Sequence, residues 1–283
     1  MVVSVKLQEK RFYMYDDIGD RMKFLEGFEA DRKFMPLLPV CCRLDGKCFH
    51  AYTKDMQKPY DDRMVATMST VTKWLVAETG ARIGYTQSDE ISLVFYSDDY
   101  DSQIYFDGRI MKLTSVLAAM CSLRFYKLSI EFMPEKIQED PIFDCRVWVV
   151  PTQMEAVNLL MWRESDCLKN SISSAASCYY SHHELDGKNS SERQELLFLK
   201  GINFNDYPSF FKRGCYFQRR EVERTFTVQE LEQLPLKHNA RKNPDMKFRR
   251  HGVVALDMPP LSKVSNKVAV VFDGADPQAI LSN

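Results

Sequence analysis

The sequence lacks the features of a secreted, membrane or zinc-finger protein. Its eight cysteines include no C-x-x-C pair, so their spacing predicts neither a zinc site nor a disulfide framework. No uninterrupted apolar run approaches the roughly 20 residues that span a bilayer. The first residues also lack the charged segment and apolar segment of a signal peptide. We therefore expect a cytoplasmic protein with no membrane partner.

The chain also lacks an excess of positive charge. Its formal net charge is −1, so any nucleic-acid partner must be bound by local basic patches rather than by the whole molecule. A chain of 283 residues is long enough to bury a large core. We expect a catalytic core with an N-terminal arm over residues 1–151, and a mainly helical region over residues 152–283 that packs on it.

The hydrophobic pattern between residues 37 and 150 predicts the order β-α-β-β-α-β. Apolar or β-branched runs of strand length lie at residues 37–44, 81–87, 91–96 and 145–150. Apolar residues recur at helical spacing between Asp61 and Gly80, and again over residues 109–128. This order is that of ferredoxin-like and RRM folds and of polymerase palm domains. We therefore predict an α+β fold with a palm-like antiparallel sheet flanked by helices.

The second half of the chain is predicted to begin with helices. Helical patterns cover residues 153–181 and 190–200, the latter with an incomplete capping box at Ser190. A strand is predicted at residues 215–226. A basic stretch over residues 237–251 follows, with six lysines and arginines against one aspartate.

Two aspartates mark the ends of predicted strands. Asp45 follows the first strand, and Asp89 lies in the turn between the second and third. The predicted order makes the first and third strands neighbours, so these carboxylates can approach each other. Together with the Gly46 carbonyl they would supply the hard oxygen ligands that Mg²⁺ prefers, and two such ions suit phosphoryl transfer. Alternatively, Asp45 begins a turn and Asp89 lies in a solvated hairpin, and spacing alone leaves both interpretations open.

Several basic groups are candidates for binding phosphate. Backbone N–H groups of residues 47–50 would form a concave nest, with His50 as a further donor. Lys58 lies in a loop beside a proline and could reach a triphosphate. Arg109 and Lys112 lie near the start of a predicted helix, where the helix dipole favours an anion. Each of these side chains also has a plain interpretation as a packed or solvated residue.

Five motifs together resemble the tRNA-His guanylyltransferase family, whose members add nucleotides to the 5′ end of tRNA in the 3′-to-5′ direction. The motifs are R-L-D-G-K-C-F-H at 43–50, K-P-Y-D at 58–61, G-Y-T-Q-S-D-E at 84–90, F-D-C-R-V at 143–147 and W-R-E-S-D-C at 162–167. The resemblance covers residues 19–213. It implies a palm-like catalytic domain, two Mg²⁺ ions, ATP and GTP or other NTPs as substrates, tRNA as partner, and a homotetramer.

The resemblance also implies roles for individual residues. The implied metal ligands are Asp45, Gly46 and Asp89. The implied nucleotide-binding positions are Lys47, Cys48, Phe49, His50 and Ser88. Activation of the tRNA 5′ end is implied for Lys58, Asp61 and Ser88, and Glu90 is a further catalytic candidate. Triphosphate binding is implied for Arg109 and Lys112.

One segment departs from the eukaryotic pattern. Eukaryotic members that select tRNA-His carry H-I-N-N-L-Y-N-T, whereas this chain has L-K-N-S-I-S-S-A at residues 168–175 and shares only Asn170. This segment and Y-P-S-F-F-K-R-G at 207–214 are similar to the bacterial, archaeal and phage-type branch, which repairs 5′-truncated tRNAs against the opposite strand. We therefore expect template-dependent repair, with strict addition of the extra G to tRNA-His as the alternative.

Two other classes of protein are alternatives to a nucleotide-adding enzyme. A palm-like nucleotidyl cyclase would use the same carboxylate pair without a polynucleotide. A non-catalytic RRM-like protein would need aromatic side chains for base stacking, and the strand aromatics Phe95, Tyr96 and Trp148 do not form such a pattern. The residues predicted to contact tRNA, chiefly through its phosphates, are Asn170, Lys212, Arg213, Arg241, Lys242, Arg249 and Arg250.

Overall fold

The computed structural model describes residues 17–280, so the start of the predicted N-terminal arm, residues 1–16, lies outside it. The described part contains six strands: β1 (Val40–Gly46), β2 (Ile83–Gln87), β3 (Glu90–Phe95), β4 (Phe143–Val149), β5 (Cys215–Thr225) and β6 (Lys247–Leu256). Its α-helices are α1 (Ile18–Ala30), α2 (Phe49–Tyr52), α3 (Asp62–Thr79), α4 (Ile110–Phe132), α5 (Gln153–Ser177), α6 (His182–Leu185), α7 (Ser190–Leu199), α8 (Ser209–Arg213), α9 (Val228–Gln233), α10 (Asn239–Lys242) and α11 (Lys267–Asp273).

All six strands form one antiparallel sheet in the order β4-β1-β3-β2-β5-β6. The first four strands and the helices α3 and α4 follow the predicted β-α-β-β-α-β order, which confirms the palm-like α+β class. Strand β1 lies between β3 and β4, as that order requires. Strand β1, which carries Asp45 next to its last residue, is therefore an interior strand of the sheet.

Helices α3 and α4 cover one face of the sheet. The Asp61 carboxylate caps the start of α3, and Gly80, in the left-handed conformation, ends it. The buried core on this face joins Cys42 and Leu44 of β1 to Leu75 of α3 and Leu117 of α4. Within residues 17–280, α4 alone is long and apolar enough to cross a membrane by composition. One side of this helix packs on the sheet, through Leu113, Leu117 and Phe125 among others, and 33% of its apolar window is buried.

Helix α5 and the C-terminal segment cover the opposite face. Here Cys41 of β1 and Val94 of β3 share a second core with Leu160 of α5 and Val271 of α11. A carboxylate also ties these parts together, because Glu164 accepts hydrogen bonds from the Tyr216 hydroxyl at 2.9 Å and from the Leu261 amide at 3.0 Å. The last part of the chain thus packs on this face of the sheet.

The end of the chain adds two long strands to this sheet. The predicted strand at 215–226 is confirmed as β5, which pairs with β2. Strand β6 was not predicted, because the charge-rich pattern of residues 237–251 indicates a basic segment rather than a strand. The strands β5 and β6 pair from Tyr216 with Leu256 to Thr225 with Lys247. The C-terminal region therefore continues the sheet as well as contributing helices.

The start of the helix predicted from Ser190 is confirmed, but its N-cap was assigned wrongly by one residue. The incomplete capping box expected at Ser190 is a complete one that begins at Asn189, whose side chain accepts from the Glu192 amide. The Glu192 carboxylate in turn accepts from the Asn189 amide at 2.7 Å. Because the N-cap is Asn189 rather than Ser190, the residue three positions after it is Glu192 rather than Arg193.

Candidate active site

The register of β1 and β3 brings the two predicted aspartates together. Asp45 lies opposite Glu90 in this pair, and the Gly46 amide donates to the carbonyl oxygen of Asp89 at 3.1 Å. The end of the first strand and the turn before the third therefore meet, as the strand order predicts. Asp45 and Asp89 lie at the same end of neighbouring strands.

The backbone after Asp45 turns sharply over a buried ring. A Cβ atom at Gly46 would lie 2.3 Å from the ring of Phe49, so only glycine fits this close approach. The Phe49 ring packs against Phe125 and Phe143, with ring centroids 5.4 and 4.9 Å away. This aromatic cluster holds the strand end that carries Asp45.

The two aspartates form a region of concentrated negative charge. Burial raises the pKa of Asp89, and the neighbouring negative charge of Asp45 also raises it. The Ser88 hydroxyl donates to Asp89 Oδ1 at 3.0 Å and lowers that pKa in part. A cation placed between the carboxylates would relieve this repulsion.

A third carboxylate, Glu90, is buried and paired. Its Oε1 accepts from Arg163 Nε at 2.6 Å, and its Oε2 lies 3.8 Å from Arg43 Nε. Burial raises the pKa of Glu90, whereas the hydrogen bond and charge of Arg163 lower it. Glu90 was predicted as a catalytic candidate. The structure places Glu90 directly beside Asp89. The charge of Glu90 is balanced by Arg163 and Arg43, so its role here is to hold the turn in place.

The edge strand β4 adds a charged pair that sequence reasoning missed. Asp144 lies opposite Asp45 on β4. The Arg146 Nη2 atom is 3.2 Å from Asp144 Oδ2 and 3.9 Å from Asp45 Oδ2. Asp144 and Arg146 belong to the motif at residues 143–147, and Arg43 and Arg163 also lie in motifs of the sequence. Membership of these motifs is the signal that could have identified them.

The oxygen donors here fit a Mg²⁺ ion that is shared with a phosphate ligand. Residues 17–280 contain no group of three or more His, Cys, Asp or Glu side chains arranged to hold a metal. The protein would supply the carboxylates of Asp45 and Asp89 and the Gly46 carbonyl. Mg²⁺ is commonly bound by one or two carboxylates with phosphate oxygens and waters completing the octahedron. These protein oxygens would fill only part of the coordination sphere of Mg²⁺, so the phosphates of a substrate would supply further ligands.

A cavity of about 290 Å³ adjoins Ser88 and gathers four of the predicted residues. It is lined in part by Lys58, Asp61, Ser88 and Asn170. The Lys58 ammonium group donates to the Thr53 carbonyl at 2.9 Å, at the rim of this cavity. Ser88 lines the cavity and donates to the Asp89 carboxylate, so the cavity lies next to Asp89, although neither aspartate lines it.

Asp61 has a structural partner of its own. Its carboxylate accepts from the Arg63 amide at 2.9 Å and from the Arg63 guanidinium at 3.0 and 2.8 Å. The side-chain hydrogen bonds from Arg63 are the main reason that the pKa of Asp61 falls to about 2. Asp61 therefore fixes the start of α3 and one wall of the cavity.

We expect Asp61→Asn to make the free energy of unfolding less dependent on pH at acidic pH. The pKa of Asp61 is about 2 in the folded protein against 3.8 ordinarily, so its charge stabilises the fold above pH 3.8 and this contribution is lost as pH falls through 2. The variant should lose about 1 to 2 kcal/mol at pH 6, since asparagine still caps the helix. Urea unfolding at pH 6 and pH 3 checks this, and an equal loss at both would contradict it.

The predicted nest at residues 47–50 is only partly available. The Lys47 amide donates to the Ile142 carbonyl at 2.8 Å, so it does not point to a ligand. The Phe49 side chain is buried in the core, whereas Cys48 and His50 are exposed. What remains are the amides at the start of the short helix α2, where backbone N–H groups lack intrahelical partners.

The structure does not bring Arg109 and Lys112 to the carboxylates of the same chain. They lie at the start of α4, where Arg109 Nε is 3.9 Å from Asp31 Oδ1 and Lys112 stands 5.0 Å from the Phe106 ring. The active-site end of α4 is marked by Ser122, whose hydroxyl accepts from the Phe143 amide. At 1.5 Å per residue, Arg109 is roughly 20 Å from that point.

Two of the basic residues predicted to contact tRNA lie near carboxylates, and others donate to neutral oxygens. On β6, Arg249 lies 3.9 Å from Glu221 and Arg250 lies 3.7 Å from Glu230. Arg241 donates to the Glu232 carbonyl, Lys212 to the Asn205 carbonyl, and Arg213 to the Ser209 hydroxyl. Lys242 is exposed, and Asn170 lines the cavity.

Comparison with known proteins identifies the relatives of this chain. A family model described as "Thg1: tRNAHis guanylyltransferase" matches residues 21–151. The chain is 30% identical over 217 residues to a tRNA(His) guanylyltransferase of Debaryomyces hansenii, covering 70% of this chain and 80% of that one. It is 34% identical over 190 residues to an uncharacterized protein of Acanthamoeba polyphaga mimivirus, covering 59% of this chain and 63% of that one.

Solved structures show the same fold. A bacterial tRNA(His) guanylyltransferase (Thg1)-like protein in complex with ATP matches with a TM-score of 0.73 and 31% identity, over 90% of this chain and 99% of that one. A bacterial Thg1-like protein in complex with GTP matches with a TM-score of 0.66 and 29% identity, over 88% of this chain and 95% of that one.

The palm-like sheet, with paired carboxylates at the ends of its central strands, defines a nucleotidyltransferase. The relatives name the particular kind. The chain belongs to the Thg1 family of tRNA(His) guanylyltransferases, and both eukaryotic members and bacterial Thg1-like proteins are similar to it.

Proposed function

We propose that this chain adds nucleotides in the 3′-to-5′ direction to the 5′ end of tRNA. ATP would first adenylylate a 5′-monophosphate, and the 3′-hydroxyl of GTP or another NTP would then attack the activated phosphate with loss of AMP. The observation that carries this proposal is the meeting of Asp45 and Asp89 beside a cavity that Lys58 and Ser88 line. The ATP and GTP complexes of bacterial relatives support the choice of nucleotides.

The roles of the residues follow from their positions. Asp45, the Gly46 carbonyl and Asp89 would hold two Mg²⁺ ions, which when bound lower the pKa of the attacking hydroxyl and stabilise phosphate charge. Ser88 orients the Asp89 carboxylate through its hydrogen bond. The Lys58 ammonium group would move from the Thr53 carbonyl to the pyrophosphate that leaves in the first step. A 5′-triphosphorylated end would need no adenylylation.

Repair of 5′-truncated tRNA is the biological role that we propose. The segment 168–175 departs from the pattern of members that select tRNA-His, and in the structure it forms part of α5, with Asn170 and Ser174 lining the cavity. The likeness to bacterial Thg1-like proteins supports this role. The alternative, strict addition of an extra G to tRNA-His, is supported by the curated eukaryotic relatives.

One experiment separates these functions. The purified protein receives Mg²⁺, ATP and labelled GTP with a tRNA that lacks its first nucleotide, with the complete tRNA, or with tRNA-His that lacks its extra G. We expect label on the truncated tRNA when the opposite base is C, and little label when that base is changed. Label on tRNA-His alone would favour the alternative function. Conversion of GTP without any RNA would instead indicate a cyclase.

We also propose that the protein acts as a cytoplasmic homotetramer. Helix α1 exposes apolar side chains that a monomer has no reason to present to water, among them Ile18, Leu25 and Phe28, with 70%, 54% and 66% of their surfaces exposed. Burial between copies of the chain would remove this cost. Light scattering on the eluting peak of a gel-filtration column measures the mass, and a monomer at micromolar concentration would refute the tetramer.

A further inference from the structure

We propose that Trp162 is a stacking platform for a nucleobase of the RNA substrate, next to the carboxylate pair. The proposal rests on the proposed function, because it takes RNA as the substrate. It goes beyond that function by assigning a binding site on α5 outside the cavity at Ser88.

The first observation is the exposure of Trp162. Half of its surface is open to solvent, at 50%, although tryptophan has a large apolar ring that proteins usually cover. The flanking residues Arg163 and Glu164 point inward and are buried, with 6% and 7% exposed. The indole therefore stands on the solvent side of a helix whose other side is firmly packed.

The second observation is that two arginines hold the indole in place. The Arg163 guanidinium carbon lies 4.5 Å from the ring centroid of Trp162, and that of Arg43 lies 5.8 Å from it. Both distances are within the range of cation–π contact. An exposed ring that is fixed in this way loses little conformational entropy when a flat ligand stacks on it.

The third observation links this ring to the catalytic residues. Arg163 donates to Glu90, the residue after Asp89, at 2.6 Å. Arg43 lies two residues before Asp45 on β1, and so on the same face of the sheet. The arginines that hold the Trp162 ring are therefore in direct contact with the strand ends that carry the aspartates.

The ligand that fits is a base carried by a polynucleotide rather than a free nucleotide. Trp162 does not line the cavity at Ser88, which is lined from α5 by Cys167, Asn170, Ser171 and Ser174. Five residues of helix separate Trp162 from Cys167, so the two side chains lie about 7.5 Å apart along the helix axis and roughly 140° apart around it. A mononucleotide in the cavity therefore leaves Trp162 open, whereas an RNA end can reach both. The two nearby guanidinium groups suit the phosphates of such a strand.

The test compares Trp162→Ala, Trp162→Phe and the matched control Trp148→Phe, which changes a partly buried tryptophan of the core. Affinity for a tRNA lacking its first nucleotide is measured by fluorescence anisotropy, and affinity for ATP by equilibrium dialysis. We expect Trp162→Ala to weaken RNA binding roughly 5- to 100-fold, as removal of one stacking side chain does. Trp162→Phe and Trp148→Phe should stay within about 3-fold, and ATP affinity should not change in any variant.

A second measurement reports the ring directly. In the variant Trp74→Phe/Trp148→Phe, Trp162 is the remaining tryptophan, and its fluorescence should fall when the truncated tRNA binds but not when ATP binds. Equal RNA affinity of Trp162→Ala and the unchanged protein would overturn the platform. Quenching by ATP alone would overturn the choice of RNA.

The same samples distinguish this proposal from the proposed function. If the unchanged protein binds tRNA and shows the Trp162 effects but adds no nucleotide, the platform stands and the proposed reaction fails. If it adds nucleotides and Trp162→Ala binds RNA equally well, only the platform fails. If the unchanged protein does not bind tRNA at all, both are refuted.

Discussion

Replacing Asp89 by asparagine is expected to slow nucleotide addition about 10³-fold while the protein stays folded. Asparagine keeps the shape of the side chain but removes the negative charge that would hold Mg²⁺ beside the phosphates. Stabilisation of transferred phosphate by a metal ion is worth several kcal/mol, and each 1.36 kcal/mol is about tenfold in rate. Single-turnover addition of labelled GTP to a truncated tRNA measures the effect.

The fold of this variant should be at least as stable as before. Burial and the Asp45 charge both raise the pKa of Asp89, so the ionised carboxylate is destabilising without a cation. Thermal unfolding without metal should therefore show an unchanged or higher midpoint for Asp89→Asn. With Mg²⁺ and ATP added, the unchanged protein should gain more stability than the variant.

Asp144→Asn is the matched control. Asp144 lies opposite Asp45 in the sheet, but its side chain is 52% exposed on the edge strand and is paired with Arg146. We expect a loss below about tenfold, because an exposed ion pair contributes little. Equal losses from Asp89→Asn and Asp144→Asn would show that general negative charge, rather than a specific metal ligand, matters here.

Arg163→Met is expected to destabilise the fold by about 3 kcal/mol. The change leaves the Glu90 carboxylate, whose side chain is 7% exposed, with Arg43 at 3.8 Å as its remaining cationic neighbour. A buried charge that loses its hydrogen-bonded partner destabilises the fold, because its lost hydration is no longer offset by that partner. Urea unfolding followed by circular dichroism gives the change in unfolding free energy.

Two further variants make this test specific. Adding Glu90→Gln to Arg163→Met removes the uncompensated charge, so the double variant should recover a good part of the lost stability. Arg82→Met breaks an exposed pair with Asp98, whose atoms lie 3.4 Å apart, and a hydrogen bond of 2.9 Å to the Tyr96 carbonyl, and should cost about 1 kcal/mol. If Arg82→Met costs as much as Arg163→Met, burial is not the cause.

The central part of the fold could be predicted from the sequence because local pattern and topology agree there. Apolar or β-branched runs of strand length predicted the four strands that became β1 to β4, and helix caps at Asp61 and Gly80 bounded α3. The neighbouring position of β1 and β3 followed from the strand order. That neighbourhood alone brings Asp45 and Asp89 together.

Other features depend on contacts between distant residues and have no local signal. Strand β6 is rich in charge, and its pattern is explained only by partners on β5, such as Glu221 opposite His251 and beside Arg249. The pairing of Arg163 with Glu90 joins α5 to β3 across 73 positions. The distance of Arg109 from the carboxylates follows from the direction of α4, which composition does not reveal.

The register of the central strands also limits how this sequence can change in length. Inserting one residue within β1 or β3 would turn Asp45 and Glu90 toward opposite faces, since side chains alternate along a strand. The connection between β5 and β6, residues 226–246, lies beyond the paired ends at Thr225 and Lys247 and constrains neither aspartate. Insertions and deletions that evolution tolerates are therefore expected to accumulate in that connection.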